Sequence, residues 1–107
     1  MSDDYIYLDR FMWNKNKAKI NLEIHKVSFE LACRIFNDPA LYVLFDDGNS
    51  TPEEDRFVCI GNIGDGVTIL SVAMTERQPY IRIISARKAT RKERSKYEKN
   101  AKTVFYD

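Results

Sequence analysis

Cationic side chains crowd one stretch of the chain. Between Tyr80 and Glu98, in YIRIISARKATRKERSKYE, stand Arg82, Arg87, Lys88, Arg91, Lys92, Arg94 and Lys96, with Lys99 one residue beyond. Guanidinium forks match phosphate oxygens bidentately, and several around one phosphorus stabilise a pentacovalent transition state without a metal ion. Arg56, Glu76 and Arg77 belong to the same set, because they begin or end neighbouring apolar runs. The bland alternatives are nucleic-acid docking without chemistry, or ion pairs to an acidic loop elsewhere in the chain. His25, the one histidine, falls near the end of a helical pattern, where the helix dipole favours the imidazolium. It can therefore serve as a structural cap or as a proton-transfer group.

Other chemistries are poorly represented. The chain has neither a GxxxxGK[ST] phosphate loop nor a GxSxG elbow, and Gly61 to Gly66 joins two strands rather than a strand and a helix. Cys33 and Cys59 lie far apart, match no zinc or redox spacing, and read as buried reduced thiols. No metal site and no cofactor are expected.

The elements that must carry the arginines follow from pattern. Ile81, Ile83 and Ile84 give a β-branched strand, and two-residue alternation sends Arg82 to the face opposite Ile81 and Ile83. Thr90 and Glu93 then form an S/T-x-x-E capping box that opens a basic helix. Upstream, LYVLF, RFVCI, VTILSVAMT and YIRIISA are strand-like runs separated by Asp46 to Asn49, Gly61 to Gly66 and Gln78-Pro79, which argues for an antiparallel meander. Asn14 is a plausible N-cap for a first helix whose face gathers Ala18, Asn21, Leu22 and His25; Ser28 caps a second short helix, ended by Asn37-Asp38-Pro39. Tyr5 to Leu8 lead toward a short strand that includes Phe11, Met12 and Trp13, so the expected order is β, α, α, β, β, β, β, α: an α+β domain with two N-terminal helices packed on an antiparallel β-meander and a basic C-terminal helix.

A length of 107 residues fits a single domain over 1–107, with 1–9 a loose leader and 100–107 a loose tail. The formal net charge of +1 hides a segregation: Arg77 to Lys102 holds ten Lys/Arg and two Glu, the rest seven Lys/Arg and fourteen Asp/Glu. A polyanion suits the basic part, and the acidic part shields it or meets a cationic partner. The start is acidic and no apolar run approaches the roughly 20 residues that span a bilayer, so a cytoplasmic protein without membrane contact is expected.

Three segments, in order, resemble the BrnT toxins of bacterial type II toxin–antitoxin modules, which share the RelE/ParE-like fold. FMWNKNKAKINLEIHKVSFELACRIFNDP resembles the family's opening pattern, EDRFVCIG its ERF-x-x-IG strand, and TERQPYIRIISARKATRKERSKYE its closing T-E-R, I-R-I-I-S-A-R and R-x-E-R-x-x-Y-E signature. The chain departs from the pattern at Lys26, where relatives carry the glycine of His-Gly, at Met74 before T-E-R, and at Gln78-Pro79.

The resemblance implies an endoribonuclease toxin that inhibits translation and is held by a BrnA-like ribbon-helix-helix antitoxin, the complex binding operator DNA through the antitoxin. RelE-like chemistry needs no metal: the ribose 2′-OH attacks the adjacent phosphate, leaving a 2′,3′-cyclic phosphate and a 5′-OH. On that reading Arg56, Arg77, Arg82 and Arg87 hold the phosphate or its transition state, and His25 and Glu76 transfer protons. Lys88, Arg91, Lys92 and Arg94 extend the RNA track; Tyr97 is more readily a packed residue than a base-stacking one. The rival reading is a non-catalytic member of the fold, acting as an antitoxin-binding module or on a target other than RNA.

Overall fold

The structure is a computed structural model that describes residues 4–106, with side chains described through residue 104. Its elements are β1 (Tyr5–Leu8), β2 (Phe11–Asn14), α1 (Lys15–His25), α2 (Phe29–Ala32), β3 (Tyr42–Phe45), β4 (Arg56–Asn62), β5 (Ile69–Arg77), β6 (Tyr80–Lys88) and α3 (Arg91–Tyr106). The strands form one sheet in the order β1-β2-β6-β5-β4-β3. From β3 to β6 it is the expected antiparallel meander.

The N-terminal part differs from expectation. Residues 5–8 are a strand rather than part of a loose leader, and two strands instead of the expected one precede the first helix. The reason lies in alternation: Ile6 pairs with Trp13 and both pack on the main core, while Tyr5 and Tyr7 point to the other face. This hairpin docks along β6 in parallel, Phe11 beside Ile81 and Met12 beside Arg82, so the sheet is mixed rather than antiparallel throughout. The second helix is a single α turn that tightens into a 3-10 turn over Cys33–Asn37. At the other end α3 continues to Tyr106 where a loose tail is expected, anchored by the Asn100 Nδ2 donating to the Ala40 carbonyl at 3.1 Å.

Local signals place the helices as expected. Asn14 Oδ1 accepts the Lys17 N–H at 3.0 Å and Ser28 Oγ the Leu31 N–H at 3.0 Å. Lys26, where a glycine would be easiest, adopts φ 60 and closes α1 through its N–H to the Leu22 carbonyl.

Two cores result, one on each side of the sheet. Trp13, Phe29, Ile35, Cys59, Leu70, Val72 and Ile83 are buried between the sheet and α1/α2. Ile60, Ile69, Ala40 and Tyr97 form a smaller cluster under α3. Gly61 is where β4 meets the 3-10 turn: an added Cβ would stand 2.9 Å from the Ile35 Cβ.

Asn21 joins α1 to the sheet. β2 pairs with β6 only at Ile81 and Arg82, which leaves Ala86 further along β6 without a strand partner on that side. Asn21 Nδ2 donates to the Ala86 carbonyl at 2.8 Å and to the Val27 carbonyl at 3.0 Å, and its Oδ1 accepts the Ala86 N–H at 3.1 Å. Of the expected α1 face, Ala18 and Asn21 are covered, whereas Leu22 and His25 are exposed. Asn21→Leu strands three backbone groups in an apolar interior and should cost about 3 kcal/mol in urea unfolding. Asn21→Asp, which keeps the acceptor and loses the donor, should also destabilise; a loss below about 1 kcal/mol for the Leu variant would contradict this assignment.

Candidate functional site

One register row organises the face of the sheet that α3 leaves open. Reading across the strands, Tyr7 pairs with Met12, Met12 with Arg82, Arg82 with Thr75, and Thr75 with Arg56. Paired residues point to the same side, so these five share one face. Thr75 is buried and small, its hydroxyl donating to the Asp55 carbonyl at 2.6 Å. Arg56 and Arg82 therefore flank it from strands two spacings apart, about 10 Å at the backbone.

Arg82 and Arg87 are five residues apart, an odd spacing that would put them on opposite faces of a regular strand. A bulge between Ala73 and Met74 of β5 and Ile83 to Ser85 of β6 changes the phase. Arg82 pairs with Thr75 and Arg87 with Ser71, four residues apart on β5, so both guanidiniums rise from the α3 side. Ile83 and Ala86 keep their places in the core beneath α1.

Arg56, Arg77 and Arg87 are each met by a carboxylate, whereas Arg82 lies over the Tyr5 ring. Glu54, on the loop before β4, accepts Arg56 Nε at 2.9 Å and lies 3.7 Å from Arg77 Nη2. The hydrogen bond from Arg56 holds its carboxyl below the usual range, with further lowering from the charges of Arg56, Arg77 and Arg82. Arg87 makes a two-pronged pair with Glu93, Nη1 to Oε1 at 2.8 Å and Nη2 to Oε2 at 3.0 Å. Glu93 is also the expected capping residue: its Oε1 accepts the Thr90 N–H at 2.8 Å and its own N–H reaches Thr90 Oγ1 at 3.2 Å.

The remaining predicted residues scatter. His25 ends α1 on the opposite side of the sheet, beside Ile24, Lys17 and Ile84. Glu76 pairs with Ile81 and so points away from Thr75 and Arg82, though it borders the cleft that holds Glu54 and Arg77. Lys88 pairs with Leu70 and leaves on the α1 side. On α3, Lys92 and Lys96 line a hollow with Val58 and Leu44 at the edge of the open face, while Arg91 and Arg94 border a separate hollow with Ser95 and Glu98.

A hollow of about 440 Å³ lies beside Tyr97, and one of about 410 Å³ is lined by Glu54, Thr75 and Arg77. The acidic group of the first is occupied structurally: Asp38 accepts the Tyr97 hydroxyl, the Asn62 N–H at 2.8 Å and the Ala40 N–H at 2.8 Å. Tyr97 is thus a packed residue, its hydroxyl held against ionisation by burial and by Asp38. Cys33 and Cys59 are free and buried, and burial pushes both thiols up to about 12, away from nucleophilic use. Among the described residues no group of three or more His, Cys, Asp or Glu side chains is arranged to hold a metal ion, and no helix is long and apolar enough to cross a membrane.

The ion pairs to the acidic loop, offered above as an alternative to phosphate binding, are present in the structure, made by Glu54 to Arg56 and Arg77; the sequence did not single out Glu54 itself or the tyrosines of β1. Glu54 sits in DDGNSTPEED, whose composition marks a solvated loop; only its place two residues before Arg56 hints at a partner. Tyr5 and Tyr7 alternate with Ile6 and Leu8, a strand signal obscured by the neighbouring acidic residues.

The Arg87 pair holds the Glu93 carboxyl down to about 2 against an ordinary 4.5, the hydrogen bond to Arg87 being the largest cause. A depressed folded pKa contributes stability above the unfolded value and loses it as pH falls through the folded one. Glu93→Gln should therefore cost about 1 kcal/mol at pH 7, in line with a lost cap. In urea titrations the gap between the two proteins should narrow below pH 4.5 and close near pH 2; a gap independent of pH would refute the assignment.

No curated protein matches the chain. The family model described as "Ribonuclease toxin, BrnT, of type II toxin-antitoxin system" matches residues 13–93, most of the sequence, from Trp13 through the first turn of α3. That span includes Glu54, Arg56, Arg77, Arg82, Arg87 and Glu93 and leaves out Tyr5 and Tyr7. The chain belongs to the BrnT family of ribonuclease toxins of type II toxin–antitoxin systems.

Proposed function

We propose that the open face of the sheet cleaves RNA internally and without a metal ion. The observation that carries this reading is the grouping of Arg56 and Arg82 across Thr75, with Arg77 beside them, around the carboxylate of Glu54. Three fixed guanidiniums supply the positive charge that a phosphorane requires, held on strands rather than on a mobile loop. The ribose 2′-oxygen forms a bond to the adjacent phosphorus and gives its proton to Glu54. The bond from phosphorus to the 5′-oxygen breaks, and that oxygen takes up a proton from solvent, to which Glu54 later returns the one it accepted. The ends left are a 2′,3′-cyclic phosphate and a 5′-hydroxyl. DNA, which has no 2′-OH, is not cleaved.

Glu54 takes the base role here because it stands among the arginines, whereas His25 lies across the sheet and Glu76 points away from Arg82. Arg87 is a positioning residue that fixes Glu93 and the start of α3, and Lys92 carries the RNA backbone along the helix rim. The protein partner is a BrnA-like ribbon-helix-helix antitoxin that covers this cationic face and binds operator DNA on behalf of the complex. The charge segregation supports that arrangement, since a covering segment with acidic side chains would meet Arg56, Arg77 and Arg82 directly.

The test is incubation of the purified protein with single-stranded RNA in excess EDTA. Cleavage should persist, should stop when the scissile nucleotide is 2′-deoxy, and should yield cyclic-phosphate ends. Arg82→Ala should lower kcat by about 10²- to 10³-fold with the urea midpoint retained. Glu54→Gln should remove the acid limb of the kcat/KM profile, which reports the free protein and lies below pH 4.5 because the base is ionised above its lowered pKa. Growth arrest with intact RNA would favour the non-catalytic alternative; cleavage abolished by EDTA would overturn the metal-free mechanism.

A further inference from the structure

We propose that Tyr5, Tyr7 and Tyr80 form a stacking platform for an unpaired RNA base beside the phosphate held by Arg82, a proposal that rests on the nuclease reading above. The three rings gather on the open face. Tyr7 and Tyr80 meet edge to face with centroids 4.9 Å apart, and the Arg82 guanidinium carbon lies 5.4 Å from the centroid of the Tyr5 ring. Tyr7 is 54% exposed, and Tyr5 and Tyr80 are half-buried.

The core does not account for these rings. β1 and β2 serve the main core with Ile6, Phe11 and Trp13, all on the opposite face. Tyr5 and Tyr7 occupy the alternate positions, where a sheet facing water ordinarily carries polar side chains. Beneath them Met12 closes the sheet surface, itself only 7% exposed. Flat rings above a sealed sheet, next to a guanidinium, are what single-stranded nucleic acid uses: bases stack on the rings while the backbone follows the cations. A paired base in an A-form helix cannot offer its face this way, so the platform selects unpaired RNA.

Its position fits the chemistry. Tyr7 and Arg82 lie in one register row, two strand spacings or about 10 Å apart at the backbone. A base on the tyrosines therefore belongs to a nucleotide next to the phosphate at Arg82, and stacking there fixes the register of cleavage. Tyr5 and Tyr7 precede the segment matched by the family model, whereas Tyr80 and Arg82 lie within it.

Equilibrium binding of a fluorescent single-stranded RNA, made uncleavable by a 2′-deoxy nucleotide at the scissile position, provides the test. Tyr5→Ala/Tyr7→Ala should raise Kd about tenfold, and Tyr5→Phe/Tyr7→Phe should stay within about twofold of the unsubstituted protein. An RNA with an abasic nucleotide beside the scissile position should weaken binding to the unsubstituted protein and erase its advantage over the Ala variant. In turnover the loss should appear in KM, with kcat held. Should the double Ala variant lose its urea transition, Tyr7→Ala alone, at the exposed ring, should still weaken binding about fivefold. Unchanged affinity in the Ala variants, or a Phe variant as weak as the Ala one, overturns the platform while leaving the nuclease reading standing. Failure of the unsubstituted protein to bind or cleave RNA overturns both.

Discussion

The half-step of phase in β6 is the constraint from which the rest of this face follows. A strand that alternates without interruption cannot place Arg82 and Arg87 on one side while also keeping Ile81, Ile83 and Ala86 on the other. The bulge opposite Ala73 and Met74 satisfies both demands. Before it, Arg82 joins the row with Thr75 and Arg56; after it, Arg87 rises beside Ser71 and reaches Glu93. Ala86 stays inward, where Asn21 takes its N–H and carbonyl. Removing the bulge would either drive a guanidinium into the core under α1 or detach α3 from its capping partner. Each costs far more than the irregular pairing that the bulge introduces.

Glu93 shows how closely helix start and strand exit are bound together. Its carboxylate caps Thr90 and pairs with Arg87, and Ser71 Oγ donates to it at 3.3 Å. One side chain thus orients the last helix, neutralises the guanidinium at the end of β6 and seals the edge of the smaller core. The basic residues around it are sorted by helix geometry: Lys92 and Lys96 border the hollow shared with Leu44 and Val58, Arg91 and Arg94 a separate one.

How far the sequence could be read follows from the range of each signal. Caps act over three residues, so Asn14, Ser28 and the Thr90–Glu93 box were readable and their hydrogen bonds are in place. The meander was readable because its strands are consecutive and apolar. The parallel docking of β2 on β6 was not, since it joins Phe11 to Ile81 across most of the chain and leaves no local mark. The bulge was hidden for a related reason: Ile83-Ile84 reads as ordinary strand, and only the partner strand reveals the extra residue. The arginines of the site were named from type and place, yet their carboxylate partners were not. Glu54 is close to Arg56 in sequence but meets Arg77 only through the pairing of β4 with β5. His25 was named because it is the lone histidine, a reason from composition that carries no information about which side of the sheet α1 covers.

The pairing of Glu54 with Arg56 and Arg77 sets the terms on which the site can work. A carboxylate among guanidiniums keeps them aligned and avoids the mutual repulsion of three cations on neighbouring strands. It also occupies part of the space that an anionic phosphate would enter. On the mechanism proposed above, binding would exchange one anion for another: the phosphate would take the guanidiniums, and Glu54, released from them, would lose the contacts that lower its pKa. Its basicity would then rise as substrate arrives, which suits the base role proposed for it. The pair that holds the empty site in order is, on this account, also what delays the base until there is something to attack.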